Sequence, residues 1–370
     1  MVFRRPHLAH VADSTRLGTV DALWDDLLRR GTRQPAFRIV REGGTVPAGE
    51  VTRSAGIGNR DLSDLVAPNR VIDRYRQGDT VVLQGLHHTD PLLAKLANNL
   101  ALELDHPIQI NAYLSPADTR GLDVHFDFHD VFVVQLGGRK RWRVWEPLPR
   151  TVDPVKGRHS IAKPRFDELG EPLTDVTLVE GDCLYLPRGY PHAAETLDDR
   201  SDHLTIGLVA VTWHRVLRKA IDAEIAAGRL TGALPVGLLE PGSTATTEPP
   251  ELDGLLEHLS PAVLRHWMAR EVWRRHPATR LRPRSVPALG EAPLTFTPGP
   301  LLWLTTIEQR AVLGLGDRVL DLPLEGRDFL AAMLESDGPV APADLKGLDD
   351  DSRAVVLRRL LTDGVLVHVA

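Results

Sequence analysis

Residues 125–144 read HFDFHDVFVVQLGGRKRWRV, and residues 181–192 read GDCLYLPRGYPH. The first stretch contains Val131-Phe132-Val133-Val134-Gln135-Leu136 and continues to Trp142-Arg143-Val144-Trp145. Both runs are rich in β-branched and aromatic side chains, which favour strands. The two stretches therefore predict strands of a β-rich core, with histidines at their ends.

Three potential metal ligands lie in these stretches: His125, Asp127 and His192. Residues two apart in a strand point to the same face, so His125 and Asp127 are expected to face one site. A second histidine from a distant strand would complete half of an octahedron, the arrangement typical of non-haem Fe(II) oxygenases. Taken alone, a His-x-Asp pair is weak support for a metal, because such pairs arise by chance and an isolated histidine is usually a hydrogen-bonded surface or core residue.

The surrounding sequence resembles the JmjC-type cupin oxygenases, and within them the ribosomal oxygenases, which hydroxylate ribosomal proteins. The resemblance covers roughly residues 35–212 and lies in the order, spacing and character of four segments. These segments are Asn111-Ala112-Tyr113-Leu114-Ser115-Pro116, residues 125–144, residues 181–192 and His203-Leu204-Thr205-Ile206-Gly207.

The resemblance implies a double-stranded β-helix whose facial triad, here His125, Asp127 and His192, holds Fe(II). It also implies that 2-oxoglutarate chelates the metal and that O2 takes a remaining position. Cupin sites also hold Zn, Ni, Mn or Co, and first-row affinities alone often favour metals other than Fe(II). The metal bound on purification is therefore left open.

Lys140 stands where the family places a basic residue that pairs with the distal carboxylate of 2-oxoglutarate. A carboxylate inside a barrel is expensive to desolvate unless a cation meets it. The resemblance also implies cosubstrate contacts from Asn111, Tyr113 and Thr205. The alternatives are a solvated charge for Lys140, within the run Arg139-Lys140-Arg141, and a solvent-facing strand position for Thr205.

Other histidines lie near the motif. His129 is expected in the pocket wall rather than on the metal, because four strand residues separate it from His125 by roughly 13 Å. His203 is expected to be packed and hydrogen-bonded, and His87 and His88 to lie in a turn or cap.

Composition indicates a cytoplasmic enzyme. The chain has 370 residues, of which 42% are hydrophobic and 25% charged, enough for two or three domains. No segment is long and apolar enough to span a bilayer, and the first residues lack the apolar core of a signal peptide. The single cysteine, Cys183, excludes an internal disulfide.

The predicted fold is mainly β with α: a cupin core, then a helical segment, then a winged-helix-like module. We expect an oxygenase domain over residues 1–212, with residues 1–34 helical, a helical segment over 213–299 and the last module over 300–370. Apolar residues at helical spacing predict helices over residues 20–28, 91–104, 214–230, 252–275, 326–335 and 350–363. The resemblance implies that the helical segment forms a homodimer, although an intramolecular helical layer would give the same apolar pattern.

A winged helix often binds DNA, yet residues 301–370 contain seven Lys and Arg against twelve Asp and Glu. Nucleic-acid binding requires a basic face, so we expect no direct DNA binding by this module. A basic cluster elsewhere is either a solvated helix face or a docking surface for RNA or an acidic protein region. It comprises Arg265, Arg270, Arg274, Arg275, Arg280, Arg282 and Arg284.

The sequence thus predicts an Fe(II)- and 2-oxoglutarate-dependent dioxygenase that hydroxylates a side chain in a protein. By resemblance the favoured substrate is a histidine or arginine of a ribosomal protein. The alternatives are a peptide natural product or a free amino acid as substrate, or a non-catalytic metal-binding cupin that serves as an interaction protein.

Overall fold

The computed structural model describes residues 4–29, 31–119, 122–147, 168–233, 264, 267, 289–290, 292–296, 302–307, 310–315, 318–336, 338–345 and 347–369. The chain divides into two compact units, residues 1–210 and residues 211–370. The finer division at residues 212 and 299 remains a prediction. Among the described residues, no helix is both long and apolar enough to cross a membrane.

The strands of the first unit are β1 His7–His10, β2 Phe37–Arg41, β3 Gly44–Thr45, β4 Thr52–Ile57, β5 Arg60–Val66, β6 Thr80–Leu83, β7 Ile108–Ser115, β8 Asp130–Val144, β9 Thr174–Leu178, β10 Asp182–Leu186 and β11 His192–Leu208. Nine of them form an antiparallel sheet in the order β1-β10-β8-β11-β7-β6-β2-β3, with β9 paired to β8. A separate hairpin joins β4 to β5.

In the described part of this unit, the sheet is accompanied by the α-helices α1 Val20–Arg29, α2 Ala48–Val51, α3 Pro68–Arg76 and α4 Pro91–Leu104. Helix α4 has the predicted bounds. Asp90 caps its start, because the carboxylate accepts hydrogen bonds from the backbone N–H groups of Leu92 and Leu93. Its buried residues, Leu93, Ala97 and Ala101, recur every four residues, as expected for an amphipathic helix.

The long strands β8 and β11 form the centre of the sheet and pair from His192 with Val144 to Leu208 with Asp130. The pairing is interrupted twice, between Thr196 and Ser201 and between Asp202 and His203. Gly138 adopts a φ of 65° at the first interruption, and a Cβ there would lie 1.7 Å from the Arg200 carbonyl oxygen. Only glycine therefore allows the two backbones to approach so closely.

The second unit begins with α5 Trp213–Ala226, followed by β12 Leu294–Phe296, β13 Leu302–Ile307, β14 Arg310–Leu315, β15 Arg318–Pro323, α6 Gly326–Glu335, α7 Asp350–Thr362 and β16 Leu366–His368. Strands β13, β14 and β15 form an antiparallel sheet, and β12 pairs with β16. One core joins α6 to α7 and includes Phe329, Leu330, Met333, Leu357, Leu360 and Leu361. The winged-helix-like character of this unit remains a prediction.

The predicted β-rich core is confirmed, and so are the helices over residues 20–28, 91–104 and 326–335. The expectation that residues 1–34 are helical is wrong at its start, because β1 pairs with β10 at the edge of the sheet. Apart from Leu264 and Trp267, which are helical, the predicted helix over residues 252–275 lies outside the described residues. The arginine cluster lies outside them as well.

Candidate functional site

A backbone bridge brings the two predicted metal-binding segments together. The N–H of His125 donates to the carbonyl of His192 at 3.1 Å, and the N–H of His192 donates to the carbonyl of His125 at 2.7 Å. The N–H of Gly189 donates to the carbonyl of Asp127 at 2.8 Å, which fixes the backbone two residues after His125. The expectation that His125 and Asp127 lie within a strand is therefore wrong, since β8 begins only at Asp130.

The three predicted ligands nevertheless converge. One ligand atom from each of His125, Asp127 and His192 lies within 4.8 Å of the others, and His192 Nε2 is 3.9 Å from Asp127 Oδ2. Within the described part of the chain, these residues form the one cluster of three or more His, Cys, Asp or Glu side chains close enough to share a metal.

Both histidines are oriented as metal ligands. His125 Nδ1 lies 2.8 Å from the carbonyl oxygen of Asp123, and His192 Nδ1 lies 3.0 Å from that of Tyr190. A carbonyl only accepts, so each Nδ1 carries the proton and each Nε2 keeps its lone pair for a metal. Side-chain donors of this kind, two imidazoles and a carboxylate, fit Fe(II) and other first-row divalent ions.

The surroundings of His192 also favour the neutral form of its imidazole. The side chain is 5% exposed, and burial, aided by the neighbouring charge of His125, lowers its pKa to about 4. Asp127 opposes the shift without reversing it. The imidazole is therefore neutral at physiological pH, which is the form that coordinates metals.

The triad faces a cavity enclosed by strands of the main sheet. Strands β2, β6, β7, β8, β10 and β11 all contribute side chains to its wall. Besides the triad, the polar and aromatic groups in the wall are Thr80, Tyr113, Lys140, Trp142, His203 and Thr205.

Lys140 is the cation of this cavity. It is 3% exposed, and its Nζ donates to Ser115 Oγ at 3.1 Å, while Thr80 Oγ1 donates to the same Ser115 oxygen at 3.1 Å. Its neighbours are an exposed arginine, Arg139, and a half-buried one, Arg141, and they pair with the exposed carboxylates of Asp198 and Asp175. The solvated alternative for Lys140 is therefore excluded.

The remaining cosubstrate candidates have different surroundings. Tyr113 and Thr205 line the cavity, which excludes the solvent-facing alternative for Thr205. Asn111 is not among the lining residues, because its Oδ1 accepts from the backbone N–H of Gly85 at 3.0 Å and from Gln109 Nε2 at 3.4 Å. The structure thus brings Tyr113 and Thr205 to the triad and Lys140, but gives Asn111 a different set of partners.

Three further histidines have packing or hydrogen-bonding partners in the fold. His203 is packed as expected, stacked on Tyr113 at 4.9 Å between ring centroids, although its Nδ1 has no hydrogen-bond partner among the described residues. His129 was expected in the pocket wall, but it is not among the residues that line the cavity. Its ring packs on Gly207, where a Cβ would lie 2.6 Å from the ring. His87 lies in a buried 3-10 turn, where its Nδ1 accepts from the N–H of Ile110.

Sequence reasoning missed two polar residues near Lys140: Ser115, which accepts its hydrogen bond, and Thr80, which bonds to Ser115. Ser115 lies two residues after Tyr113 on β7, so the alternation of strand faces offered a signal for it. Thr80 carried no such signal, because it reaches Ser115 from another strand, β6.

The chain is similar to known proteins in sequence and in fold. Residues 88–216 match the family model of the JmjC domain. The chain is 48% identical over 162 residues to ribosomal oxygenase 1 of Danio rerio, covering 43% of this chain and 29% of that protein. It is 34% identical over 160 residues to the bifunctional lysine-specific demethylase and histidyl-hydroxylase NO66 of Dictyostelium discoideum, covering 43% and 31%. The chain spans about a third of the length of these curated relatives.

Among solved structures, E. coli YcfD superposes with a TM-score of 0.60 at 19% identity, over 99% of this chain and 95% of that one. The structure of YcfD, a ribosomal oxygenase, in complex with cobalt and 2-oxoglutarate gives a TM-score of 0.58 over the same shares at 19% identity. At this identity the likeness shows a common fold. Residues 88–216 are thus similar to the JmjC domain, and the sequence of the chain is similar to that of the ribosomal oxygenases.

Proposed function

We propose that this protein is an Fe(II)- and 2-oxoglutarate-dependent dioxygenase that hydroxylates an amino-acid side chain in a protein. The observation that carries the proposal is the convergence of His125, Asp127 and His192 with both Nε2 lone pairs left free by backbone acceptors. A set of two histidines and one carboxylate with open positions is typical of non-haem Fe(II) oxygenases.

The cavity supports 2-oxoglutarate as the cosubstrate. Lys140 offers a buried ammonium whose hydrogen bond to Ser115 leaves two of its three donors for a carboxylate. Thr205 and Tyr113 add a hydroxyl each to the same wall. YcfD, which shares the fold, has been captured with cobalt and 2-oxoglutarate.

Bound Fe(II), 2-oxoglutarate and O2 would supply the oxidising power of the reaction. The chain itself supplies geometry: the His125–His192 bridge fixes two ligands, and Lys140 with its hydroxyl neighbours orients the distal carboxylate. Apolar wall residues such as Val131, Val133 and Leu186 exclude water, which protects a reactive site from side reactions.

A ribosomal protein is the favoured substrate, through a histidine or an arginine. Similar proteins are named ribosomal oxygenase, which supports the substrate class, and histidyl-hydroxylase, which supports histidine as the residue type. Arginine rests on the family resemblance of the sequence alone. The proposal places the protein in the cytoplasm, where ribosomes are found.

We also propose a homodimer that uses α5. Four large apolar side chains recur every four residues along this helix and are 40–68% exposed: Trp213, Leu217, Ile221 and Ile225. An exposed apolar stripe of this kind is typical of a protein interface. The acidic balance of residues 301–370 supports a role other than DNA binding for the C-terminal module.

The substrate is tested by intact-mass measurement of ribosomal proteins from cells that lack the gene. We expect one ribosomal protein to lose the mass of one oxygen atom, and expression of the wild-type chain to restore it. Expression of His192→Ala is the matched control and should not restore the mass. Unchanged masses for all ribosomal proteins would contradict the ribosomal assignment and direct the search to peptide natural products or free amino acids.

A further inference from the structure

Two of the three metal ligands lie before β8 in residues 122–129, here called the ligand segment. Hydrogen bonds to His192 and Gly189 fix this segment near its middle. Its ends pack on two glycines from other parts of the first unit, Gly43 at the start and Gly207 at the end. Neither glycine is a ligand or is among the residues that line the cavity, so any effect on a metal must pass through the ligand segment.

Gly43 lies at the tip of the β2–β3 hairpin. Glu42 and Gly43 connect the paired residues Arg41 and Gly44 and have φ angles of 46° and 78°, the pattern of a type I′ turn. A Cβ at Gly43 would lie 2.5 Å from Asp123 Oδ2 and 2.7 Å from Asp123 Cγ. Because Cγ is bonded directly to the Asp123 Cβ, a methyl group at Gly43 would displace Asp123 through its χ1 angle or its backbone.

The backbone of Asp123 orients a metal ligand. Its carbonyl oxygen lies 2.8 Å from His125 Nδ1 and accepts the hydrogen bond that leaves Nε2 for the metal. The residues on either side tie the same stretch of backbone to the site, because Leu122 lines the cavity and Val124 is buried against Trp145. A shift of the Asp123 backbone would therefore reach the cavity wall and the ligand ring together.

Gly207 makes the corresponding contact at the end of the ligand segment. It lies in β11 and pairs with Val131 of β8 and Gln109 of β7, so strands on both sides hold its backbone. A Cβ here would lie 2.6 Å from Cδ2 and 2.9 Å from Nε2 of the His129 ring. Since the paired strand cannot easily move, a side chain at Gly207 would push the ring, two residues after Asp127, away from the sheet.

We propose that Gly43 and Gly207 are positioning residues for the metal site. The space left by their missing side chains allows the ligand segment to lie where His125 and Asp127 meet His192. The inference rests on the proposed function only in that these three side chains bind a metal ion.

Double-mutant cycles on metal affinity test the proposal. We expect Gly43→Ala to weaken Mn(II) binding about 10-fold, the lower end of the loss seen when a group that supports a ligand is removed. In a protein that already carries Asp123→Ala, the same change should weaken binding less than about 2-fold, because the displaced side chain is gone. Gly207→Ala should depend in the same way on His129→Ala. The electron paramagnetic resonance signal of free Mn(II) reports the affinity.

Two glycines of the β4–β5 hairpin are matched controls. Gly58 has a φ of 57° in a turn, like Gly43, but apart from its chain neighbours no described atom lies within 4 Å of a Cβ placed there. Gly56 lies in a strand, like Gly207, and its Cβ would be 3.6 Å from Asp61 Oδ1, an ordinary contact. Gly58→Ala and Gly56→Ala should leave Mn(II) affinity within about 2-fold of the wild type. Circular dichroism checks that every variant folds.

The link between Gly43 and His125 is also measurable without metal. The ¹⁵N signals of the His125 ring in mildly alkaline solution report which nitrogen of the neutral imidazole carries the proton, and His125→Ala assigns them. The Asp123 carbonyl should keep the proton on Nδ1 in the wild type and in Gly58→Ala. Gly43→Ala should move part of it to Nε2, and adding Asp123→Ala should reverse the change.

Equal Mn(II) affinities for Gly43→Ala, Gly207→Ala and the wild type would overturn the proposal. Losses of the same size with and without the opposing side chain would overturn it too, because they would come from the altered backbone and not from the contact. If Gly43→Ala does not fold, the cycle of Gly207 with His129 decides. A wild-type protein that binds no metal would contradict the proposed function, and the His125 ring signals would still test the role of Gly43.

Discussion

His192→Ala is expected to weaken Fe(II) binding by more than about 100-fold, because even loss of a group that only supports a ligand costs about 10- to 100-fold. His192 contributes one of three converging ligand atoms, and its Nδ1 hydrogen bond to Tyr190 commits Nε2 to the metal. The affinity is measured by competition with a chromogenic chelator under anaerobic conditions. Hydroxylation of any substrate should be lost along with the metal.

His203→Ala is the matched control for this prediction. It removes the same ring from the same cavity wall, from a side chain that is 2% exposed, but from outside the triad. We expect this variant to retain metal affinity within a few-fold of the wild type, and circular dichroism checks that both variants fold. Equal affinities for His192→Ala and the wild type would contradict the triad, and loss in His203→Ala alone would indicate a different ligand set.

Lys140→Met is expected to weaken 2-oxoglutarate binding by about 100-fold or more, because the distal carboxylate would be buried without its cation. Methionine matches the length of lysine but offers no charge or donor. Binding is measured calorimetrically in the Mn(II)-loaded protein. Lys140→Arg is the control: it keeps a cation at this position and should retain more of the affinity than Lys140→Met at pH 7.

Lys140→Met should also stabilise the protein when no cosubstrate is bound. Burial lowers the pKa of Lys140 to about 8, below its ordinary value of 10.5 in the unfolded chain. Below pH 8 the folded protein therefore bears the cost of a buried charge, and stability due to this group rises as the pH goes from 8 to 10.5. Lys140→Met removes that cost and should raise the free energy of unfolding at pH 7 by up to about 3 kcal/mol. A destabilised variant with unchanged 2-oxoglutarate affinity would show that Lys140 serves the fold and not the cosubstrate.

Local sequence patterns predicted the elements whose periodicity is regular. Helix α4 has a cap, a proline in its first turn and apolar residues at helical spacing, and its bounds were predicted to the residue. Strand β1 was missed because it has four residues, all exposed, and owes its conformation to pairing with β10. Such a strand has no local signal, since its partner lies far along the chain.

The metal ligands of the candidate site could be predicted, because the motif fixes their identity. Which residues of β8 and β11 face the cavity could not be predicted, because irregular strand pairing decides it. Val131 and Val133 face the cavity from odd positions of β8, but Lys140 and Trp142 face it from even ones. The irregularity in β8–β11 pairing between them changes the alternation. A strict two-residue rule along β8 therefore cannot place Lys140 on the cavity side, and only the resemblance to a known family placed it in the cavity.

The backbone bridge between His125 and His192 likewise could not be predicted from the local sequence. His125 and Asp127 lie before β8, and hydrogen bonds to His192 and Gly189 determine their position. The ligand identities followed from the motif, whereas the backbone that holds them did not.

The central claim is that the triad and Lys140 together bind Fe(II) and 2-oxoglutarate in one cavity. Anaerobic addition of Fe(II) and then 2-oxoglutarate to the metal-free protein tests it most directly, because an iron-chelated keto acid has a visible charge-transfer band. We predict a band that saturates at one equivalent, is absent in His192→Ala and requires higher 2-oxoglutarate concentrations in Lys140→Met. Bound iron without a band at any 2-oxoglutarate concentration would contradict the account and favour a cupin that binds metal without this chemistry.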